Sequence, residues 1–239
     1  MRGTTLERSH SDRRLAASIG PLVFALFLLL LLTPSNNVSG QKLSHPHLES
    51  PEIVEAEQRL ADLGYWPGPV DGVFDAASRH ALIAFQKMEG RKRTGILTTG
   101  ELAALRSASR PEPRDNSYAH IEVDLKRQVL VVVDAEGKVT RVLPVCTGNE
   151  QFYLEDGRRN RAHTPRGRFT VTRKINGWRR SKLGLLYYPS YIINGIAIHG
   201  SPSIMTYPAS HGCIRIPMFA AKELSEMAPV GTVVVVYDD

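Results

Sequence analysis

The hydrophobic period of this chain changes once, and this change constrains the fold more than any other feature. From Ile53 to Leu63 the apolar residues recur at three- and four-residue spacing, which predicts an amphipathic helix. From Ile121 to Leu125 apolar and charged residues alternate, which predicts a half-buried strand. A chain of 239 residues is long enough for about one to two domains. We therefore expect a helical unit followed by a mostly β unit.

The segment 52–106 predicts a small unit of three helices. Gly64 is placed to end the first helix, and Thr98 or Thr99 to cap the third. One face of the second helix carries the apolar residues Ala77, Ala81, Leu82 and Phe85. Few titratable groups in this unit are placed for chemistry. After it, residues 107–117 contain Pro111 and Pro113 among charged and small residues and predict a linker.

The segment 118–239 predicts a mostly β domain with mixed sheets and one helix. Strands are expected at 121–125, 129–133, 139–145, 169–173, 192–198 and 232–237. The helix is expected to begin at Pro217, a favoured first helical residue, and to end near Met227. The chain contains no GxGxxG or GxxxxGK motif, so nothing in it supports nucleotide binding.

The N-terminal residues 1–40 predict an export segment. An apolar run, Leu15–Leu32, follows a basic stretch that contains Arg2, Arg8, Arg13 and Arg14. This is the layout of a cleaved secretory signal, and the run also approaches the length of an uncleaved membrane anchor. Both interpretations place the rest of the chain outside the cytoplasmic membrane, with 41–51 as a tether.

Residues 198–215 bring together the residue types that acyl transfer needs. Cys213 can attack a carbonyl once it is ionised, and a nearby imidazole lowers the thiol pKa and takes the proton. His199 is the better candidate base because it follows a predicted strand, which can hold it rigidly. His211 lies two residues before the cysteine, a spacing that disfavours contact on an extended backbone. The amides of Gly212 and Cys213 are candidate oxyanion donors.

The first unit resembles a bacterial peptidoglycan-binding domain. The similar residues are Gln58-Arg59-Leu60, Leu63-Gly64-Tyr65, Asp71-Gly72-Val73-Phe74, Ala84-Phe85-Gln86 and Thr98 to Leu105. The chain departs from the family at Asp75, where glycine is usual, and in the basic segment Arg91-Lys92-Arg93. The resemblance implies that Tyr65 and Trp66 stack on sugar rings through their apolar faces. The alternative is a helical spacer.

The second unit resembles the L,D-transpeptidase (YkuD-type) catalytic domain. The similar residues are Pro144 to Gly148, Thr164 to Phe169, Ile198-His199-Gly200 and Ser210 to Arg215, within about 118–238. The resemblance implies that Cys213 is the nucleophile and that His199 is the general base, oriented by the carbonyl of Gly200. Substrate contacts are expected from Ser210 and Arg215, His211 is expected to order the loop or to bind substrate, and Gly212 is expected to supply an oxyanion amide.

The reaction implied by the resemblance is attack on an L-to-D bond of a peptidoglycan stem tetrapeptide. D-alanine leaves and a thioester remains, which an acceptor amine resolves into a cross-link. Water would resolve it instead in an L,D-carboxypeptidase or another cell-wall cysteine hydrolase, and a non-catalytic wall-binding protein is a third alternative. The expected partners are the donor and acceptor stems and the glycan strand of peptidoglycan.

Charge and cysteine content narrow the partners further. The net charge is +6, and the segment 157–182 contains ten Lys or Arg and no Asp or Glu. This segment is either a solvated cationic face or an electrostatic binding surface for an anionic wall polymer or a carboxylate-bearing peptide, and no nucleic-acid partner is expected. The two cysteines form no CxxC pair, so no metal and no cofactor are expected. Cys146, where the family commonly has serine, is either a small buried residue or a disulfide partner that silences Cys213.

Overall fold

The computed structural model describes residues 50–239, which belong to one compact unit, Ser44–Asp239. The predicted export segment, 1–40, lies outside the described residues. Within residues 50–239, no helix combines the length and the apolar character that a membrane span requires.

Three helices begin the described part of the chain, as the sequence predicts. They are α1 (Ser50–Asp62), α2 (Ala76–Met88) and α3 (Thr99–Ser107). The Asp75 carboxylate accepts hydrogen bonds from the first backbone N–H groups of α2, at 2.7 and 3.0 Å. The Thr98 hydroxyl accepts the N–H of Glu101 at 3.2 Å. Both side chains therefore act as N-caps, which satisfy amides that have no partner inside the helix.

The remainder is mostly β, with one further helix, α4 (Met218–Met227). The strands are β1 (His120–Asp124), β2 (Val129–Val133), β3 (Val139–Pro144), β4 (Phe152–Glu155), β5 (Arg158–Arg161), β6 (Gly167–Thr170), β7 (Arg173–Lys174), β8 (Trp178–Ser181), β9 (Gly184–Ile193), β10 (Ile196–Ser201), β11 (Ile214–Pro217) and β12 (Val233–Tyr237).

Two mixed sheets enclose the main core. The first has the order β3-β2-β1-β12-β6, and the second has the order β11-β10-β9-β7 with β8 on β9. The pairs β1–β12 and β10–β11 are parallel, and the other strand pairs of these sheets are antiparallel. Apolar residues of both sheets and of α4 meet in one cluster, which includes Ile121, Ile198, Ile214 and Leu224. The predicted mixed-sheet β architecture is confirmed.

A second core lies between the helices and the first sheet. Strand β2 alternates its side chains between the two cores: Leu130 and Val132 face the main core, and Val129, Val131 and Val133 pack with the helices. This explains why the whole strand is buried. Arg110, in the predicted linker, donates to the carbonyl of Val139 at 2.7 Å, so this segment also contacts the sheet.

Two predicted strands are wrong in their bounds. The expected strand 192–198 is the end of β9, a turn at Asn194-Gly195, and the start of β10. Asn194 and Gly195 have φ of 43° and 83°, the left-handed conformation that tight hairpin turns require. His199 consequently lies inside β10 rather than beyond a strand. The expected strand 169–173 is divided between β6 and β7, which belong to different sheets.

Candidate active site

The parallel pairing of β10 and β11 brings the predicted nucleophile and base to one face of a sheet. His199 pairs with Arg215, and Cys213 immediately precedes β11. Side chains two residues apart on a strand share a face, and adjacent strands lie about 4.8 Å apart. Cys213, Arg215 and His199 therefore point to the same side of the sheet. All three line one cavity of about 640 Å³.

His199 is held as a neutral imidazole with a defined tautomer. Its Nδ1 lies 2.9 Å from the carbonyl oxygen of Gly200. Because a carbonyl only accepts, Nδ1 carries the hydrogen, and Nε2 keeps a lone pair. Burial lowers the pKa of His199 to about 4, the charge of Arg215 acts in the same direction, and the Gly200 hydrogen bond opposes the shift. At pH 7 the ring can therefore accept a proton at Nε2.

Cys213 is a thiol at rest. Burial raises its pKa, while a backbone hydrogen bond from Ala197 and the charge of Arg215 act to lower it. The sulfur lies 3.9 Å from the carbonyl oxygen of Gly195, towards which a thiol can donate. The expectation that the imidazole lowers the thiol pKa is therefore not met. The pair is neutral because burial disfavours the charged form of each group.

The loop that carries Cys213 is held by its own hydrogen bonds. The hydroxyl of Ser210 donates to the carbonyl of Cys213 at 2.6 Å and accepts the N–H of Gly212 at 3.0 Å. The Gly212 amide is thus directed at Ser210, and the Ser210 hydroxyl is engaged within the loop, so neither group points to a substrate here. The second predicted oxyanion donor, the amide of Cys213, takes no part in these two bonds.

Thr164 is a site residue that sequence reasoning missed. Its buried hydroxyl donates to the carbonyl of Gly212 at 2.7 Å and accepts the N–H of Gly148 at 2.9 Å. Gly212 has φ of 135°, and a Cβ there would lie 2.8 Å from the carbonyl oxygen of His163. The segment containing Thr164, which lies outside the loop that carries Cys213, therefore holds that loop in place. The sequence signal for Thr164 is its place in the motif Thr164 to Phe169. The motif does not show which groups the hydroxyl bonds to.

Two hairpins border the cavity. Residues of β4 and of β8–β9 line it, and Lys182 of the β8–β9 turn forms an ion pair with Asp156 of the β4–β5 turn. Arg179 and Arg180 are exposed and also line the cavity. Other cations of the basic segment pair elsewhere, for example Arg161 with Glu150 and Arg166 with Asp238. The positive charge at the cavity therefore comes mainly from the β8–β9 hairpin.

Comparisons with known proteins show to which family the chain is similar. A family model described as the L,D-transpeptidase catalytic domain (YkuD) matches residues 118–236, and a putative peptidoglycan binding domain matches 49–105. The crystal structure of the L,D-transpeptidase of Xylanimonas cellulosilytica DSM 15894 is 41% identical with a TM-score of 0.75, covering 79% of this chain and 94% of that one. The chain belongs to the L,D-transpeptidase family.

More distant members of this family are also similar. The L,D-transpeptidase of Stackebrandtia nassauensis is 26% identical, with 78% of this chain and 91% of that chain covered and a TM-score of 0.45. The L,D-transpeptidase of Mycobacterium smegmatis is 23% identical, with 50% and 58% covered and a TM-score of 0.39. A search of the curated proteins found no match.

Two other residues predicted for the site line the same cavity, His211 and Arg215. His211 is exposed, and its ring makes an edge contact with Tyr153 at 4.6 Å between centroids. Arg215 is half-buried and lines the cavity beside Cys213. Both side chains therefore face the cavity that also contains Cys213 and His199.

The predicted sugar-stacking role of Tyr65 is wrong. Tyr65 is 2% exposed, and its ring packs edge-on against Phe85 in the core shared by the helices and the sheet. Trp66 is half-buried; the guanidinium of Arg141 covers its ring at 4.9 Å and Phe219 makes an edge contact. Both aromatic residues therefore join the helical segment to the L,D-transpeptidase domain.

Cys146 and Cys213 are both free thiols, and Cys146 is buried whereas Cys213 is half-buried. The backbone of Cys146 pairs with Arg215, through hydrogen bonds of 3.1 and 3.0 Å. Because Cys213 lies two residues from Arg215, this antiparallel register places the two cysteine Cα atoms about 7–8 Å apart or more. Disulfides require about 4.4–6.8 Å. The hypothesised Cys146–Cys213 disulfide would therefore need a movement of the backbone.

The described part of the chain, residues 50–239, holds no cluster of side chains suited to a metal ion. Within residues 50–239, no group of three or more His, Cys, Asp or Glu side chains is arranged to hold a metal ion. The residues that face the cavity instead supply a thiol, an imidazole and a guanidinium.

Proposed function

We propose that this protein is an exported, cysteine-dependent peptidoglycan L,D-transpeptidase. The observation that carries the proposal is the placement of Cys213 and His199 on one face of adjacent strands, with His199 Nδ1 bound to the Gly200 carbonyl. This arrangement leaves Nε2 as a base towards the cavity that also contains the thiol. The family membership favours a stem tetrapeptide of peptidoglycan as the donor.

In the acylation step, the sulfur of Cys213 attacks the carbonyl carbon of the L-to-D bond while its proton moves to Nε2 of His199. Attack and proton transfer occur together because both groups are neutral at rest. The amide of Cys213 donates to the developing oxyanion. The His199 imidazolium then returns the proton to the departing D-alanine amine, and a thioester remains on Cys213.

In the second step, an amine of an acceptor stem attacks the thioester carbonyl and His199 takes the amine proton. The C–S bond breaks, the sulfur recovers the proton, and a new amide joins the two stems. Attack by water would release a tripeptide carboxylate instead. Both reactions use Cys213 and His199, so the nucleophile that reaches the thioester decides between transpeptidase and carboxypeptidase.

Peptidoglycan is the proposed partner of the whole protein. The exposed Arg179 and Arg180 and the half-buried Arg215 are suited to the carboxylates of a stem peptide, since guanidinium groups bind carboxylates in a bidentate manner. The helical unit is proposed to hold the glycan strand, through surfaces other than Tyr65. Pull-down of the protein with insoluble peptidoglycan tests this, and a protein that stays in solution leaves the helical unit as a spacer.

Export rests on the sequence of residues 1–40, as a cleaved signal or as a membrane anchor. The intact mass of the protein recovered from the cell envelope distinguishes the two. Loss of the first residues up to about position 40 indicates a signal peptide, and a full-length membrane-bound chain indicates an anchor. Recovery of the full-length chain from the cytosol would contradict export.

The reaction is tested with a disaccharide that carries a tetrapeptide stem, with mass analysis of the products. We expect cross-linked dimers, free D-alanine and an enzyme adduct on Cys213. Cys213→Ala should abolish all three, and Cys146→Ser, at a buried thiol, is the matched control that should retain them. Tripeptides without dimers would indicate a carboxypeptidase, and activity in Cys213→Ala would exclude the proposed mechanism.

A further inference from the structure

Lys87, in α2, is a buried cation that the proposed chemistry does not use. It is 1% exposed, and its Nζ donates to the carbonyls of Gln128 at 2.9 Å and Val145 at 2.8 Å. None of the ion pairs formed within residues 50–239 includes it. Lysine is rarely buried completely without a carboxylate partner, because desolvation of the ammonium is costly. Both of its acceptors lie in the β part of the chain.

The first acceptor, the carbonyl of Gln128, belongs to a residue that is connected by hydrogen bonds to the loop carrying Cys213, the nucleophile loop. Gln128 has φ of 62°, a left-handed conformation that a residue with a side chain adopts only when its surroundings enforce it. Its side chain accepts the N–H of Thr147 at 3.0 Å and donates to the Thr147 hydroxyl at 2.7 Å. The carbonyl of Thr147 accepts the N–H groups of Ala209 at 3.0 Å and Ser210 at 2.9 Å. Ser210 in turn bonds to Cys213.

The second acceptor, the carbonyl of Val145, is connected to the segment that follows Cys213 in the chain. Val145 is followed by Cys146, whose backbone exchanges two hydrogen bonds with Arg215. Arg215 lies two residues after Cys213 in the chain, and Ser210 lies three residues before it. The two carbonyls held by Lys87 therefore belong to segments that support the nucleophile loop from both ends. The side-chain bonds of Lys87 and Gln128 on this path are buried, and the bond from Ser210 to Cys213 is part-buried.

We propose that Lys87 is a positioning residue, through which the helical unit fixes the backbone that places Cys213. This inference rests on the proposed function, because it assigns the helical unit a part in the same reaction. Among uncharged side chains of similar length, methionine fills the space but donates no hydrogen bond, so the two carbonyls would lose their shared donor.

The protonation state of Lys87 does not decide this role. Burial lowers its pKa to about 7, with the charge of Arg93 acting in the same direction and Cys146 opposing. A neutral amine still has two N–H groups, one for each carbonyl. The contacts can therefore persist in both protonation states.

Lys87→Met in the full chain tests the proposal by steady-state kinetics on a soluble tetrapeptide stem without glycan. We expect kcat to fall about tenfold, since small displacements of reacting groups are costly, while KM changes less than about twofold. Leu102→Ala is the matched control, because Leu102 is buried in the same helical core and has an apolar side chain, which takes no part in the hydrogen bonds of this path. It should lower the thermal midpoint and leave kcat within about twofold.

Hydrogen exchange of the segment 205–216 supplies a readout that does not depend on catalysis. We expect faster amide exchange there in Lys87→Met than in the wild type, and unchanged exchange in Leu102→Ala, at a temperature where all three proteins are folded. Equal effects of the two variants on exchange, or no effect of Lys87→Met, would overturn the inference. A wild type that is inactive on the stem, with the expected exchange pattern, would refute the proposed function alone.

Discussion

His199 and Cys213 are both shifted towards their neutral forms by burial. The imidazole keeps its tautomer because a backbone carbonyl, rather than a carboxylate, accepts from Nδ1. A carboxylate at that position would favour the imidazolium. The carbonyl orients the ring without stabilising the charged form to the same extent, so the base remains available at low pH.

The pH dependence of kcat/KM follows from the lowered pKa of His199. An ordinary histidine, with a pKa near 6.5, would lose half of its base form at about pH 6.5. Because the pKa of His199 is lowered to about 4, we expect the acidic limb of the profile to have its midpoint near pH 4. The measurement is the rate of D-alanine release from a soluble stem at pH 3.5 to 8. A midpoint near 6.5 would contradict the role of burial.

The lowered pKa of His199 also affects the stability of the protein, and this limits the pH range of the assay. The unfolded chain binds a proton at His199 near pH 6.5, whereas the folded chain does so near 4. Between these values the unfolded state holds more protons, so the contribution of His199 to the free energy of unfolding decreases as the pH falls through this window. Thermal melts at each pH separate loss of the base from loss of the fold.

Thr164→Val removes a single hydroxyl from the support of the nucleophile loop. The carbonyl of Gly212 and the N–H of Gly148 would both lose their partner in a buried place, which costs about 1–3 kcal/mol. We expect a lower thermal midpoint and a fall of about tenfold in kcat. Thr164→Ser keeps the hydroxyl and should remain near wild type. Equal activity of the valine and serine variants would show that the hydroxyl does not position the loop.

Among the elements, α2 begins at an N-cap, Asp75, which is a position where similar domains usually have glycine. Asp75 accepts two N–H groups at the start of the helix, a contact that glycine could not make. Asp75→Ala should therefore lower the free energy of unfolding by about 1 kcal/mol, while Asp75→Asn should have a smaller effect. Urea unfolding of the two variants checks this. An alanine variant as stable as the wild type would mean that the cap is dispensable.

The packing of β10 against α4 leaves no room for a side chain at Gly200. A Cβ at Gly200 would lie 2.7 Å from the Cβ of Ala221, closer than two carbons can approach. Gly200→Ala should therefore push β10 away from α4 and cost about 1–3 kcal/mol. Since His199 is the adjacent residue, we expect kcat to fall as well. Ala220→Gly, on the same helix, controls for the stability of α4, and a fully active Gly200→Ala would contradict the close packing.

At the scale of the whole molecule, the helical unit and the β unit are joined by a common core. Val129, Val131, Val133, Val139 and Val142 of the first sheet pack with helical residues. The helical unit therefore contributes to stability as well as to any wall binding. Trp66 and Arg110 extend the same contact beyond this core.

Deletion of residues 1–117 would expose this face of the sheet. An exposed apolar patch of five valines favours aggregation and removes burial that stabilises the sheet. We expect the remaining chain to unfold at a markedly lower temperature than a chain that lacks only residues 1–49, and to lose activity. Light scattering and thermal melts compare the two. A stable, monomeric, fully active 118–239 fragment would show that the common core is unnecessary.

The sequence by itself determined the classes of the two units and the identity of the chemical pair. Periods of 3.6 and 2 are local properties of the chain, and the motif around Cys213 is contiguous, so neither depends on distant contacts. Only the tertiary structure decided that Tyr65 is buried, that the Gly212 amide is bonded to Ser210, and that Lys87 supports the active-site segments. Burial and hydrogen-bond partners come from residues distant in sequence, and no local pattern specifies which of several polar groups a buried donor will reach.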